Sequence, residues 1–164
     1  MFVRLASEND FSEIKNCYEI ARSYMRTHGN ASQWINGFPQ DEIIHADILR
    51  RELFVVSENN TNAICGVFAF IIGNDETYKK INGSWKNDFR YGTIHRLASN
   101  GKSHGIFESA LAFCKTKIGK EIFSIRIDTH EENKTMQNAI EKFGFQKCGI
   151  IWQKDGSERI AYQL

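Results

Sequence analysis

Ile94-His95-Arg96-Leu97-Ala98-Ser99-Asn100-Gly101-Lys102-Ser103-His104-Gly105-Ile106-Phe107-Glu108-Ser109-Ala110-Leu111 is the stretch on which the reading of this chain turns. Its first half is apolar at alternate positions until Ser99-Asn100-Gly101 breaks the run. Phe107, Leu111, Cys114 and Ile118 then recur at helical spacing, so the segment reads strand, turn, helix. A glycine-containing loop that opens a helix leaves backbone N–H groups unpaired, with the positive end of the helix dipole behind them. Such a terminus suits phosphate, and Lys102 adds a positive charge. The stretch predicts an anion site.

Gly101-Lys102-Ser103 imitates the end of a nucleotide-binding P-loop. That motif needs a glycine five positions before Gly101, where this chain has Arg96, and no G-x-G-x-x-G follows a strand. A nucleotide hydrolase is therefore excluded. Lys102-Ser103-His104-Gly105-Ile106-Phe107 instead resembles the acetyl-CoA signature of the GNAT-type N-acetyltransferase superfamily, Gln/Arg-x-x-Gly-x-Gly/Ala at a helix start. Gly105 fits strictly, whereas Lys102 and Phe107 depart from the pattern. Asn133-Lys134-Thr135-Met136-Gln137-Asn138-Ala139-Ile140-Glu141-Lys142-Phe143-Gly144-Phe145 resembles the superfamily's second segment, an Asn that opens a helix ending in a Gly-Phe turn. The resemblance covers roughly residues 91–150.

The resemblance implies an α/β fold: a twisted mixed sheet of six to seven strands, about four helices on both faces, and two central parallel strands splayed to hold acyl-CoA. The splayed strands would be those ending near Ala98 and Thr129. The resemblance implies acetyl-CoA as cosubstrate, gripped by the backbone of Leu97 and Ala98, by the loop Lys102, Ser103, His104, Gly105, Ile106 and Phe107, and by Asn133. Phe107 can direct its ring into the core while its N–H faces phosphate. The superfamily often carries Tyr seven residues after the Asn, as proton donor to the departing thiolate, and this chain has Ile140 there.

At 164 residues the chain is read as one domain, 1–164. Its 21 basic and 20 acidic residues leave a net charge of +1, so no bulk field draws it to nucleic acid or membrane. No apolar run reaches a spanning length and no signal region opens the sequence, so a cytoplasmic protein is expected. Cys17, Cys65, Cys114 and Cys148 are scattered in apolar patterns without a C-x-x-C, and core packing without a metal is expected. A monomer and a homodimer are both compatible with these features.

Working outward, Phe2 to Leu5 is a short strand, and Ser7 with Asp10 can cap a helix whose inward face is Ile14, Cys17, Tyr18, Ala21 and Met25. In Gln33-Trp34-Ile35-Asn36-Gly37-Phe38-Pro39, two large aromatics occupy a loop. Trp34 and Phe38 either pin that loop to the core or wall a substrate pocket. A second helix spans Asp41 to Glu52, and Leu53–Ser57 pairs with the wholly apolar Ile64–Ile72 as a hairpin. A strand with no polar side belongs at the centre of a sheet. Tyr78 to Trp85 reads as a polar connection whose two aromatics line the pocket or close the core. Ile122–Thr129 alternates as a strand, and Met136, Ala139, Ile140 and Phe143 form a helical apolar stripe. Cys148–Trp152 and Arg159–Tyr162 form a hairpin through Lys154-Asp155-Gly156-Ser157.

Acetyl transfer from a thioester needs a neutral amine. An alkyl amine titrates near 10, so only about one molecule in a thousand is ready at neutral pH, and a base helps. His95 is the candidate base, two residues before Leu97 and hence on its strand face; a buried structural histidine is the competing reading. His130 is the reserve, Thr129 can face the acyl group, and Arg96 reads as an ion-pair partner on the opposite face. The expected function is acetyl-CoA-dependent N-acetylation of a primary amine on a small molecule or peptide. The alternative, motivated by Ile140, is a non-catalytic acyl-CoA-binding or sensor module on the same fold.

Overall fold

Nine consecutive residues without a charge, Ile64–Ile72, form a strand that must be covered on both faces, and the molecule is built around it. The computed structural model describes residues 1–164. In chain order the elements are β1 (Phe2–Leu5), α1 (Phe11–Thr27), α2 (Asp41–Leu49), β2 (Leu53–Ser57), β3 (Ile64–Ile72) and β4 (Asn82–Gly83). They continue with β5 (Tyr91–Ser99), α3 (Ile106–Lys115), β6 (Ser124–Thr129), α4 (Lys134–Lys142), β7 (Gln146–Trp152) and β8 (Glu158–Gln163). The strands make one mixed sheet in the order β1-β2-β3-β5-β6-β8-β7-β4.

The sheet has eight strands, against six to seven expected. The difference includes β4, inside the segment read as a plain connection. It pairs through Asn82 and Gly83 with Ile150 and Gly149. A Cβ on Gly83 would lie 2.2 Å from the Cys148 carbonyl, and one on Gly149 2.2 Å from the Asn82 carbonyl. Two facing glycines thus let a strand form where the apolar pattern gives no sign of one. Helix α2 stops at Leu49, short of Glu52, because Arg51 turns the chain with φ +59.

Helices cover both faces. Phe68 and Phe70 of β3, Ile94 of β5 and Ile125 and Ile127 of β6 pack with Ile106, Phe107, Ala110, Leu111 and Cys114 of α3 and Ile140 of α4. On the other face Val55, Val67, Ala69 and Ala98 pack with Ile14, Cys17 and Tyr18 of α1 and Ile44 of α2. Full burial of each such side chain contributes about 1.5–3 kcal/mol, which is why β3 lies inside the sheet. Gly66 lets α3 approach closely: a Cβ there would lie 2.3 Å from the Ile106 side chain.

Every neighbouring pair is antiparallel except β5 and β6. Their parallel ladder runs from Tyr91↔Ser124 to Ile94↔Ile127 and ends there, although β5 continues to Ser99 and β6 to Thr129. The two strands fork after those isoleucines. At the same place β5 carries a bulge: between the pairs Ala69↔His95 and Val67↔Ala98 the single residue Phe68 faces both Arg96 and Leu97. Arg96 takes φ +51, a left-handed conformation that a β-bulge can require.

Candidate active site

The bulge changes which side chains share a face. Strict alternation would set Leu97 beside His95, and the expectation stated above assumed it. Instead Leu97 packs toward the α3–α4 core, and Ala98 takes the α1 side, where Ala69 and hence His95 also lie. Arg96 points toward α2, on the α1 side rather than the opposite one. Its Nη2 lies 2.6 Å from Oδ2 of Asp47, which Arg50 contacts from outside. Arg96 is thus an ion-pair partner, as its sequence position suggested, but the face assigned to it was wrong.

Past the fork, both faces of β5 and β6 open into a cavity of about 610 Å³. His95 and Asp128 are the first residues beyond the last pair, so they face each other across its apex. The His95 Nε2 lies 2.8 Å from Oδ2 of Asp75, whose other oxygen accepts from the Thr77 backbone and hydroxyl. Burial alone would push the Asp75 carboxyl up. The hydrogen bonds from His95 and Thr77 outweigh it and hold the group at about 2. A carboxylate only accepts, so Nε2 carries the proton of this bond and Nδ1 is the free lone pair of the neutral ring. Nδ1 makes no hydrogen bond within the chain. Asp128 is pushed up by burial, against the charges of His95 and Arg159 and the Tyr78 hydroxyl, which pull it down. Gln153 Nε2 lies 3.4 Å from both of its oxygens.

A second feature lies at the start of α3. Gly105 caps the helix with φ +78 and no side-chain cap. Gly101 and Lys102 spend their amides on Ser99 Oγ and Asn100 Oδ1. The amides of Ser103, His104, Gly105, Ile106, Phe107 and Glu108 meet no acceptor in the chain. Ser103 Oγ donates to Glu58, while Lys102 and His104 are exposed. Phe107 is buried against Phe143 and Phe145, so only its backbone faces outward. Six free donors at a positive helix end fit a pyrophosphate. The β5 edge from His95 to Ser99, with no β6 partner, offers an extended chain a place to pair.

No protein-family model matches the sequence, and a search of the curated proteins finds no match. Solved structures do match. An acetyltransferase of the GNAT family from Streptococcus agalactiae 2603 is 34% identical with TM-score 0.85, over 98% of this chain and 92% of its own. This chain belongs to the GNAT acetyltransferase family. A GNAT family acetyltransferase from Listeria monocytogenes (20% identity, TM-score 0.71, 99% and 93% covered) shares the fold. So does a chain of the NatC complex bound to Gag peptide and CoA (16% identity, TM-score 0.64, 100% and 98% covered). Membership supports acyl-CoA-dependent acetyl transfer as the general activity.

The GNAT fold places the residues singled out in the sequence unequally. His95, Leu97, Thr129, Asn133, Trp34 and Phe38 line the cavity. Trp34 does so while packing edge-on against Tyr18, so it both pins its loop and walls the pocket. Tyr78 and Trp85 do not line it. They stack on each other, Tyr78 is buried with Tyr91, Ile151 and Ala161, and Trp85 covers Arg126. They close the core, and of the two only Tyr78 touches the site, through its hydroxyl on Asp128. His130 is also off the cavity, its Nδ1 accepting from the Glu132 amide. Asn133 caps α4 through Met136 N, and its Nδ2 donates to Gln33, so both ends of its amide are engaged. Ile140 is fully buried. The sequence reading missed Asp75, Asp128, Gln33, Gln153 and Arg159. Asp75 had only a local signal, the Asp-x-Thr of a turn, and nothing local ties it to His95 twenty residues away.

Proposed function

We propose that this protein is an acetyl-CoA-dependent N-acetyltransferase acting on a primary amine of a small molecule or peptide, with His95 as base and Asp75 as its orienting partner. The observation that carries the reading is the Asp75–His95 pair at the apex of the fork, both residues lining the cavity where an acetyl thioester and an amine would meet, with Nδ1 left without a partner in the chain. The free amides from Ser103 to Phe107 hold the pyrophosphate. The open edge at Leu97 and Ala98 pairs with the pantetheine; the NatC complex, one chain of which shares this fold, is bound to CoA, which supports the choice of cosubstrate.

In the reaction, the amine nitrogen bonds to the thioester carbon and its proton passes to Nδ1 of His95. Asp75 holds the ring in the tautomer that can accept and stabilises the imidazolium that results. A backbone N–H of the bulged segment near Leu97 receives the oxyanion. The carbon–sulfur bond then breaks, and CoA leaves as a thiolate. Ile140 has no proton to give, so the thiolate takes one from solvent; a thiol titrating near 8.5 is a tolerable leaving group unaided. A non-catalytic sensor needs the grip but not an oriented base, so the dyad favours the enzyme.

Thiol release from acetyl-CoA by wild type and His95→Gln tests the reading. The variant should turn over at least about 10-fold more slowly at saturating acetyl-CoA, with unchanged CoA affinity. Wild-type turnover in the variant would remove His95 from the chemistry.

A further inference from the structure

Among the cavity-lining arginines, Arg159 is the one that makes no direct ion pair within the chain. It is 7% exposed, on β8, and its guanidinium contacts only neutral oxygens: Nη1 donates to Ser157 Oγ and the Glu158 carbonyl, and Nη2 to the Gln33 carbonyl. A guanidinium has five N–H donors, three are used, and Nε–H and one Nη2–H remain. Donors on these adjacent nitrogens are of the kind that match the two oxygens of a carboxylate. The other cations of the lining are differently placed. Arg96 is paired with buried Asp47, and Lys154 sits in the exposed β7–β8 turn. Nearby Asp155 spends Oδ1 on the Ser157 amide and hydroxyl. A buried cation with no anion in contact is costly; Asp128 and Asp155 act on Arg159 only at longer range, and it borders the space a substrate must enter.

Its position relative to the acids is also specific. Asp128 pairs with Ala161 across β6 and β8, so Arg159 is the diagonal neighbour on the same face, about 7–8 Å away along the sheet. Asp128 in turn adjoins His95 across the fork. One end of the cavity therefore offers a carboxylate and a base, and the adjoining end a single buried cation. That pattern is complementary to a small zwitterion: an ammonium toward Asp128 and His95, a monoanion toward Arg159. With one buried guanidinium answering it, a carboxylate is balanced, whereas a phosphate dianion would be half compensated.

We propose that the acceptor is a free amino acid or a close analogue, with Arg159 binding its carboxylate and so setting specificity, while Asp128 receives its amine before proton transfer to His95. The assignment rests on the N-acetyltransferase reading above.

The test compares the twenty common amino acids with their carboxamides and with phosphoethanolamine, using thiol release from acetyl-CoA by the intact protein. At least one amino acid should exceed its own carboxamide in kcat/KM by about 100-fold or more, because a site built to bond a carboxylate leaves its donors unpaired with the amide. Arg159→Gln should bring that ratio to about one. Arg159→Lys, which keeps the charge without the adjacent donors, should leave an intermediate ratio and covers the case in which the Gln variant does not fold. Carboxamides or phosphoethanolamine turned over as well as the amino acids, or a ratio that survives Arg159→Gln, would overturn the proposal. If no amine is acetylated, the enzyme reading fails separately, and calorimetry of the amino acids on the CoA complex decides the anion site. Binding that Arg159→Gln removes upholds it, and no binding overturns it.

Discussion

His95 drew attention in the sequence because it stands two residues before Leu97, an alternation argument that the bulge at Arg96 removes; its place at the fork rests instead on the end of the β5–β6 ladder. Asp75, its hydrogen-bond partner, was not legible, since the contact joins a turn to a strand across twenty residues. The pair predicts a second variant. In Asp75→Asn the amide can donate to Nε2, which fixes the ring with its proton on Nδ1, the wrong nitrogen for a base. Turnover should fall by roughly 10² as it would in an alanine variant of the base, while the KM for acetyl-CoA stays within about twofold. Steady-state kinetics on both substrates check this, and a variant that lost only acetyl-CoA affinity would refute it. The pH dependence has a definite sign. The Asp75 carboxyl is depressed to about 2, so it is ionised throughout the range above its ordinary 3.8. Whatever stability it lends is present there and is lost progressively as pH falls from about 3.8 through about 2. An acid limb in the rate above that range therefore does not belong to Asp75; with Asp128 pushed up by burial beside the base, the part of the limb that His95→Gln flattens is the part due to the base. Arg96 gives a third expectation at this scale. Arg96→Ala strands the buried Asp47 on the outer Arg50 alone and should destabilise the fold by about 3 kcal/mol in urea unfolding. A loss under about 0.5 kcal/mol would mean that Arg50 suffices.

Among the elements, the sequence located the strands, helices and loop well where periodicity is strong. Leu53–Ser57 and Ile64–Ile72 have the bounds read from the apolar pattern. It failed where a single residue breaks the period. The bulge at Arg96 shifts Leu97 and Ala98 by one face, and no alternation pattern shows an inserted residue until the partner strand is seen. Gly83 and Gly149 make a strand pair from close approach rather than from apolar content. The glycine loop was read correctly as a helix start because its chemistry is local. Its test is local as well. Gly105 sits at φ +78, 3.8 Å from Glu108 Oε2 at its would-be Cβ. Gly105→Glu adds backbone strain and an anion where the free amides converge. CoA affinity by calorimetry should fall at least about 10-fold in a variant that still unfolds cooperatively. Unchanged affinity would move the pyrophosphate elsewhere.

For the whole molecule, the parallel pair β5–β6 organises everything: it holds together through Ile94 and Ile127, then opens. The loop between α1 and α2 spans that opening. Gln33 accepts from Asn30 and Asn133 and its carbonyl from Arg159, and Ser32 donates to Glu132, so the loop ties α1 to the start of α4 and to β8. Sequence alone showed an aromatic-rich loop there, but not which distant groups it would join. The central claim is that this cavity acetylates amines rather than merely holding acyl-CoA. The most direct test incubates the protein with acetyl-CoA and a panel of primary amines, following free thiol and identifying acetylated product by mass spectrometry. One amine should give thiol and N-acetyl product in equal amounts, at a rate that His95→Gln depresses. Calorimetric binding of acetyl-CoA with no product from any amine would contradict the account and leave a sensor in its place.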